Sequence, residues 1–296
     1  MASVEVRYRD RASGKIETER VFGEKTLRFL YEGGLAGRCA RALLTRPVAS
    51  RVYGSFQRAG RTRSKVESFA RAVGIDPSDA ARPLSSFESI DDFFARRLRE
   101  GARPVDPEPT HLVSPADARV LVYPRLSGAL LPVKGARVPL EDLLADRVLA
   151  ARYERGSAIV LRLAVADYHR FHFPDSGTAG PWREAGTRLD SVHPIALASG
   201  APSFLNKRQV SELATERFGR IAQIEVGAIC VGTIVQTYTP GPVRRGAEKG
   251  FFRFGGSTVV LVAEEGAVRF DEDLVASSGE GLETLVRVGT RIACSA

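Results

Sequence analysis

The chain has 296 residues, 44% hydrophobic and 26% charged, a balance that supports a buried core and argues against wholesale disorder. Cys39, Cys230 and Cys294 are widely separated and form no CxxC pair, which argues against a disulfide framework and a zinc–thiolate cluster and points to a reducing compartment. The net charge of +8 has one source: eight basic residues lie between Arg38 and Lys65, with no acidic residue between Gly33 and Val66.

Residues 3–9 and 16–22 read as two strands around the turn Ala12-Ser13-Gly14-Lys15. Residues 24–100 read as helices in pieces, punctuated by Gly33-Gly34, Pro47, Gly60 and Gly74-Ile75-Asp76-Pro77. The basic run (Arg38, Arg41, Arg46, Arg51, Arg58, Arg61, Arg63, Lys65) is interleaved with Leu35, Leu43, Leu44, Val48, Val52, Tyr53 and Phe56. That mixture suits an anionic membrane surface, and equally a solvated helical face packed on the domain. No nucleic-acid module accompanies the charge, so nucleic acid is not an expected partner. The stretch from Ser86 to Phe94 reads as a capped helix start with an aromatic face. The Pro-rich connection EGARPVDPEPT follows and places a boundary near residue 105.

Beyond it the pattern turns to short strands, at 118–124, 157–165, 221–229, 231–238, 258–264 and 284–293. Helices are expected only at 139–145 and at 203–217 around Asn206. The expected fold class is α+β: an N-terminal hairpin and helical region over 1–105, membrane-facing, and a mostly β catalytic body over 106–296. No stretch approaches the roughly 18 apolar residues of a transmembrane helix, and the opening MASVEVRYRD lacks a leader's apolar run.

Three segments carry chemistry. Two of the four histidines, His169 and His172, lie in VADYHRFHFPDSG. Closely spaced histidines can chelate, but no cysteine is near, and Asp167 and Asp175 complete no recognised zinc signature, so no metal is expected. Asp117, in HLVSPADARV, directly precedes a strand-like run; alone it reads as a turn former. Ser257 follows Gly255-Gly256 and opens the apolar run Val259–Val262. An Asp, a His and a Ser at the ends of separate strands are the material of a proton relay, in which carboxylate orients imidazole and imidazole takes the hydroxyl proton. A serine hydrolase using Asp117, His172 and Ser257 without self-cleavage is one reading, although G-x-S-x-G is absent around Ser257. A non-enzymatic module binding anionic surfaces through residues 38–65 is another. A Gly-Gly-Ser turn also permits the hydroxyl to attack the carbonyl of Gly256.

The segment RRGAEKGFFRFGGSTVVLV resembles the self-processing site of phosphatidylserine decarboxylases: a basic residue, Gly, an acidic residue, Gly, an aromatic, then Gly-Ser-Thr before a strand. DYHRFHFP resembles the histidine motif of that family and SPADARV its aspartate motif. SFLNKRQV, VGAICVGTI and SFESIDDFFARRLREGARPVDP follow the family pattern in order, and Val4 to Tyr53 is similar to the longer bacterial and clostridial-type subgroup. Two positions depart from it: Gly255, where many members carry another residue, and Ala118, where Gly is common.

The resemblance implies an inactive proenzyme. Ser257 attacks the Gly256 carbonyl, His172 acts as base and Asp117 orients it. β-Elimination then separates residues 1–256, the beta chain, from 257–296, the alpha chain, and leaves Ser257 as an N-terminal pyruvoyl cofactor. That group forms a Schiff base with the serine headgroup and acts as electron sink while CO2 leaves, giving phosphatidylethanolamine. His169 is implied in the decarboxylation half, for example as proton donor. The implied partners are phosphatidylserine, the other cleaved chain, a second processed protomer and an anionic membrane. The implied location is the cytoplasmic side of a bacterial inner membrane, peripherally attached.

Overall fold

The computed structural model describes residues 6–19, 23–46, 60–133, 136–229, 233–255 and 257–296. Strands dominate, and the fold is α+β. Its centre is a large sheet whose strands run in the order Gly241–Val243, Gly177–Ala179, Arg208–Thr215, Arg220–Val226, Ser257–Ala263, Ser157–Leu163, Ala118–Tyr123, Glu283–Val286, Arg7–Asp10 and Ile16–Thr18. Each neighbouring pair is antiparallel except Arg7–Asp10 with Glu283–Val286, which is parallel. The N-terminal hairpin therefore extends the same sheet that the rest of the chain builds.

The middle strands read as continuous apolar runs because both faces of the sheet are covered. Val259 and Leu261 join Val120, Val122, Leu161 and Phe171 in one core, while Val260 and Val262 join Val160, Ala222, Ile224 and Tyr153 in another. The period-2 alternation of a strand thus divides one hydrophobic segment between two cores.

A third apolar cluster belongs to the N-terminal helices. Helix Val66–Val73 buries Val66, Phe69, Ala70 and Val73, one face at helical spacing. Gly74 ends it at φ 79, a left-handed position that glycine fills without a side-chain clash. Helix Ile90–Phe94 starts at Ser89, whose hydroxyl accepts the Asp92 N–H at 3.1 Å. Its Phe93 and Phe94 pack with Phe69, Phe87 and Phe254.

Helices Glu24–Glu32 and Gly34–Leu44 form a pair tied to the body by Arg41, whose Nε donates to buried Asp190 at 2.7 Å. Leu35 and Leu43 remain 78% and 63% exposed on the second of them. Of the basic run, Arg38, Arg46, Arg63 and Lys65 are exposed. Arg51 and Arg58, with Val48, Val52, Tyr53 and Phe56, lie outside the described residues, as does the side chain of Arg61. Among the described residues no helix is long and apolar enough to cross a membrane.

Two sequence expectations are corrected. Residues 203–217 are not a helix: a single turn Ser203–Leu205 is followed by the strand Arg208–Thr215, paired with Arg220–Val226 from Arg208 to Ala214. Helix-compatible Glu and Ala are outweighed by cross-strand pairing and by burial of Val210 and Leu213. The run 284–293 is two strands, Glu283–Val286 and Arg291–Ser295, divided by a turn in which Thr290 N–H donates to the Arg287 carbonyl at 3.2 Å. Gly289 sits there at φ 81, where a Cβ would lie 2.7 Å from the Pro104 carbonyl oxygen.

Candidate active site

The topology gathers three chemistry-bearing segments. Ser257 opens the central strand and pairs with Leu163, the last residue of the neighbouring strand. The chain leaving Leu163 turns through residues 164–168 and returns as the strand Arg170–His172. That strand pairs with Glu248–Phe252, the segment leading into Ser257, and Phe252 N–H donates to the His169 carbonyl at 2.9 Å. Both histidines are thus held beside the chain that leads into Ser257. Gly256 itself lies outside the described residues.

His169 and Ser257 are fully buried, and His169 Nδ1 lies 3.2 Å from Ser257 Oγ. The other ring nitrogen, Nε2, is 2.9 Å from the Ala164 carbonyl oxygen. A carbonyl only accepts, so Nε2 carries the hydrogen. Burial pushes the imidazole pKa down to about 3, partly offset by the Ala164 bond and reinforced by the Arg96 charge. The ring is neutral near pH 7, and its bare Nδ1 accepts the Ser257 O–H. Phe94 stacks on it at 3.9 Å between centroids.

His172 has the opposite arrangement. Its Nδ1 lies 2.9 Å from the Gly246 carbonyl oxygen, so Nδ1 carries the hydrogen. Its Nε2 is buried and has no hydrogen-bond partner among the described residues. Burial lowers its pKa, against the Gly246 bond and the negative charges of Glu248 and Asp117. The His172 N–H donates to the Pro115 carbonyl at 2.8 Å, which sets the ring beside the Asp117 segment.

Asp117 is fully buried, and the structure gives it partners that the sequence did not reveal. Arg103 donates from Nε at 3.0 Å and from Nη2 at 2.7 Å, Arg287 from Nη1 at 3.1 Å and the Val288 N–H at 2.8 Å. Asp117 reaches His172 through its charge, with no hydrogen bond between them among the described residues. The structure therefore joins Ser257 to His169 and leaves Asp117, His172 and Ser257 without a continuous relay.

The N-terminal region completes the site. Buried Asp91 accepts the Phe254 N–H at 3.0 Å and the Arg253 guanidinium at 2.6 Å, holding the segment just ahead of Gly255-Gly256. The rings of Phe94 and Phe69 lie 5.1 and 5.6 Å from that of Phe254. Asp91, Phe94, Arg103 and Arg287 were not singled out in the sequence. The aromatic face of 86–94 was the one legible signal among them; the partners of a buried carboxylate leave none.

A buried hydroxyl against a neutral imidazole of fixed tautomer, at the start of a central sheet strand, is the arrangement of an enzyme that activates serine. The comparisons specify which class. The model of the phosphatidylserine decarboxylase family matches residues 90–294. Relatives named phosphatidylserine decarboxylase proenzyme are 43% identical over 96% of this chain in Chlamydia caviae, 42% over 98% in Chlamydia muridarum and 38% over 97% in Fusobacterium nucleatum. These matches cover 96%, 97% and 96% of the respective relatives. The chain belongs to the phosphatidylserine decarboxylase family.

Proposed function

We propose that the chain decarboxylates phosphatidylserine to phosphatidylethanolamine and CO2, after cleaving itself between Gly256 and Ser257. The observation that carries this reading is the contact of the buried Ser257 hydroxyl with His169, directly after Gly255-Gly256 in the sequence of a chain of this family. In processing, Ser257 Oγ attacks the Gly256 carbonyl and the amide becomes an ester. Elimination breaks the Ser257 Cβ–Oγ bond and releases residues 1–256 with a free carboxylate; water then hydrolyses the imine tautomer of the resulting dehydroalanine, ammonia leaves, and residues 257–296 are headed by a pyruvoyl group.

The residues suit that group. Ser257 is fully buried and strand-paired, so a carbonyl formed there is held and kept from bulk water. Gly255, at φ 131, adopts a bend closed to residues with side chains, which suits a backbone that must bring a hydroxyl onto its own preceding carbonyl. The pyruvoyl group would supply an electrophilic carbonyl for the substrate amine and a sink for the electron pair left by CO2.

His172 serves processing as base: its Nε2 is neutral, buried and open, and the Asp117 charge stabilises the imidazolium that forms. His169 serves turnover: its Nδ1, which faces position 257, would take a proton from the substrate ammonium and return it to the carbon that loses CO2. The direct His169–Ser257 contact favours a second reading in which the two roles are exchanged, and single variants at each position separate them. The domains follow this division of labour: residues 1–105 associate with the membrane and brace the site, and 106–296 carry the chemistry. The cleaved chains stay together, and processed protomers pair as homodimers.

The substrate sits in a membrane, and residues 38–65 dock the enzyme peripherally on the cytoplasmic face of a bacterial inner membrane. Exposed Arg38 and Arg46 beside exposed Leu35 and Leu43 support this. At about 1 kcal/mol per basic residue, Arg38→Gln with Arg46→Gln weakens binding to phosphatidylglycerol vesicles roughly 30-fold. The activity is tested by CO2 release from phosphatidylserine in mixed micelles beside free serine. Release from the lipid supports the reading; release from free serine alone, or from neither by a processed enzyme, contradicts it.

A further inference from the structure

The turn between Leu163 and His169 contains a buried carboxylate that none of the steps above uses. Asp167 Oδ2 accepts the Ala164 N–H at 2.7 Å, and the Asp167 N–H donates to the Ala164 carbonyl at 2.9 Å. Both peptide groups of Ala164 are therefore tied to Asp167. The same Ala164 carbonyl accepts the His169 Nε2–H. Burial pushes the Asp167 carboxyl up, while Arg119 and the Ala164 N–H act to keep it charged.

Arg119 is buried as well. It donates from Nη1 to Asp167, pairs with Glu19 at 3.0 Å and lies 4.5 Å from the centre of the Tyr8 ring. Glu19 in turn pairs with Arg162 at 2.7 Å. A run of contacts thus leads from the N-terminal hairpin through Arg119 and Asp167 to the one carbonyl that holds His169.

We propose that Asp167 is a positioning residue: it fixes the Ala164–Asp167 turn so that the Ala164 carbonyl locks His169 in the Nε2–H tautomer, with Nδ1 bare toward Ser257. The choice of tautomer is decisive because a neutral imidazole has one donor and one acceptor nitrogen. With the hydrogen on Nδ1, a donor faces the Ser257 position and the proton there has no acceptor. In a buried, low-dielectric site one hydrogen bond is enough to decide between two tautomers of similar energy. The consequence for turnover rests on the proposed function; the tautomer assignment does not.

The test reads the tautomer directly. The full-length Ser257→Ala chain, labelled with nitrogen-15 histidine, contains four histidines, and His169→Gln in the same background assigns the His169 signals. At pH 7 His169 is expected to show a protonated Nε2 and a bare Nδ1. Asp167→Ala converts it to a mixture of tautomers, and Asp167→Asn, which keeps an oxygen for the Ala164 N–H, restores the single form. In the self-processing chain, Asp167→Ala lowers kcat roughly 10- to 100-fold and leaves KM within about twofold. An unchanged His169 tautomer in folded Asp167→Ala overturns the proposal, even where activity falls. If that variant does not fold, Arg119→Met with Asp167→Ala removes both buried charges together and is read by the same criterion. If the native chain releases no CO2 from phosphatidylserine, the functional reading fails while the tautomer measurement still decides the role of Asp167.

Discussion

His169 and His172 lie three residues apart, yet their surroundings prepare them in opposite ways. His169 gives its Nε2–H to a carbonyl and turns a bare Nδ1 to Ser257; His172 gives its Nδ1–H to a carbonyl and leaves Nε2 bare. Burial favours the neutral form in both, but only His172 is also acted on by Asp117 and Glu248. A neutral base paired with a nearby negative charge is suited to a step that creates an imidazolium. A neutral base in an apolar slot, under Phe94, is suited to taking a proton only transiently and giving it up readily. The difference lies in which carbonyl each ring meets and which charges face it, so one short motif can supply two half-reactions.

The largest expected effect is at His172. His172→Ala leaves the chain whole, with processing slowed roughly 10²- to 10⁴-fold, followed as band conversion on denaturing gels. His169→Ala still cleaves, and its turnover of phosphatidylserine falls roughly 10²-fold. Reversal of these two outcomes exchanges the roles and supports the second reading. Asp117→Asn comes next: it leaves Arg103 and Arg287 without their shared carboxylate and costs about 3 kcal/mol in urea unfolding. It also slows processing more than turnover, because its charge acts on His172.

The pH dependence is the mildest effect and the sharpest on mechanism. An ordinary imidazole loses its base form below about pH 6.5. With the His169 pKa pushed down to about 3, turnover that needs this ring neutral stays level from pH 8 to about 5. Processing, through His172, falls off below the ordinary imidazole range, since that pKa is also lowered. Stability runs the same way. The unfolded chain takes up these protons first, so stability is full above about pH 6.5 and is lost as pH falls toward the folded value. A half-maximal loss of kcat near pH 6.5 in folded enzyme contradicts the neutral His169.

Much of the body was legible. The strand Ser257–Ala263 announces itself because burial on both faces demands an unbroken β-branched run. The helix Ile90–Phe94 was visible in its cap and aromatic face. Helix Glu272–Gly279 is signalled in the sequence only by the acidic residues of its first turn, and 203–217 reads as helix because pairing between strands is not a local property. The site was legible as residue types: Asp117, His169, His172 and Ser257 all stand at strand ends or beside them. Its wiring was not. Arg103 and Arg287 meet Asp117 from opposite directions along the chain, and the tautomer of each histidine depends on a carbonyl whose position only the folded backbone defines.

The most direct test of the central claim is the intact mass of the native chain beside Ser257→Ala. The account predicts two native fragments divided between Gly256 and Ser257. The smaller should be lighter than an unmodified 257–296 by the mass of ammonia and blocked to Edman degradation, while Ser257→Ala stays whole. A folded native chain that remains in one piece contradicts the account and returns Ser257 to the role of an ordinary serine nucleophile.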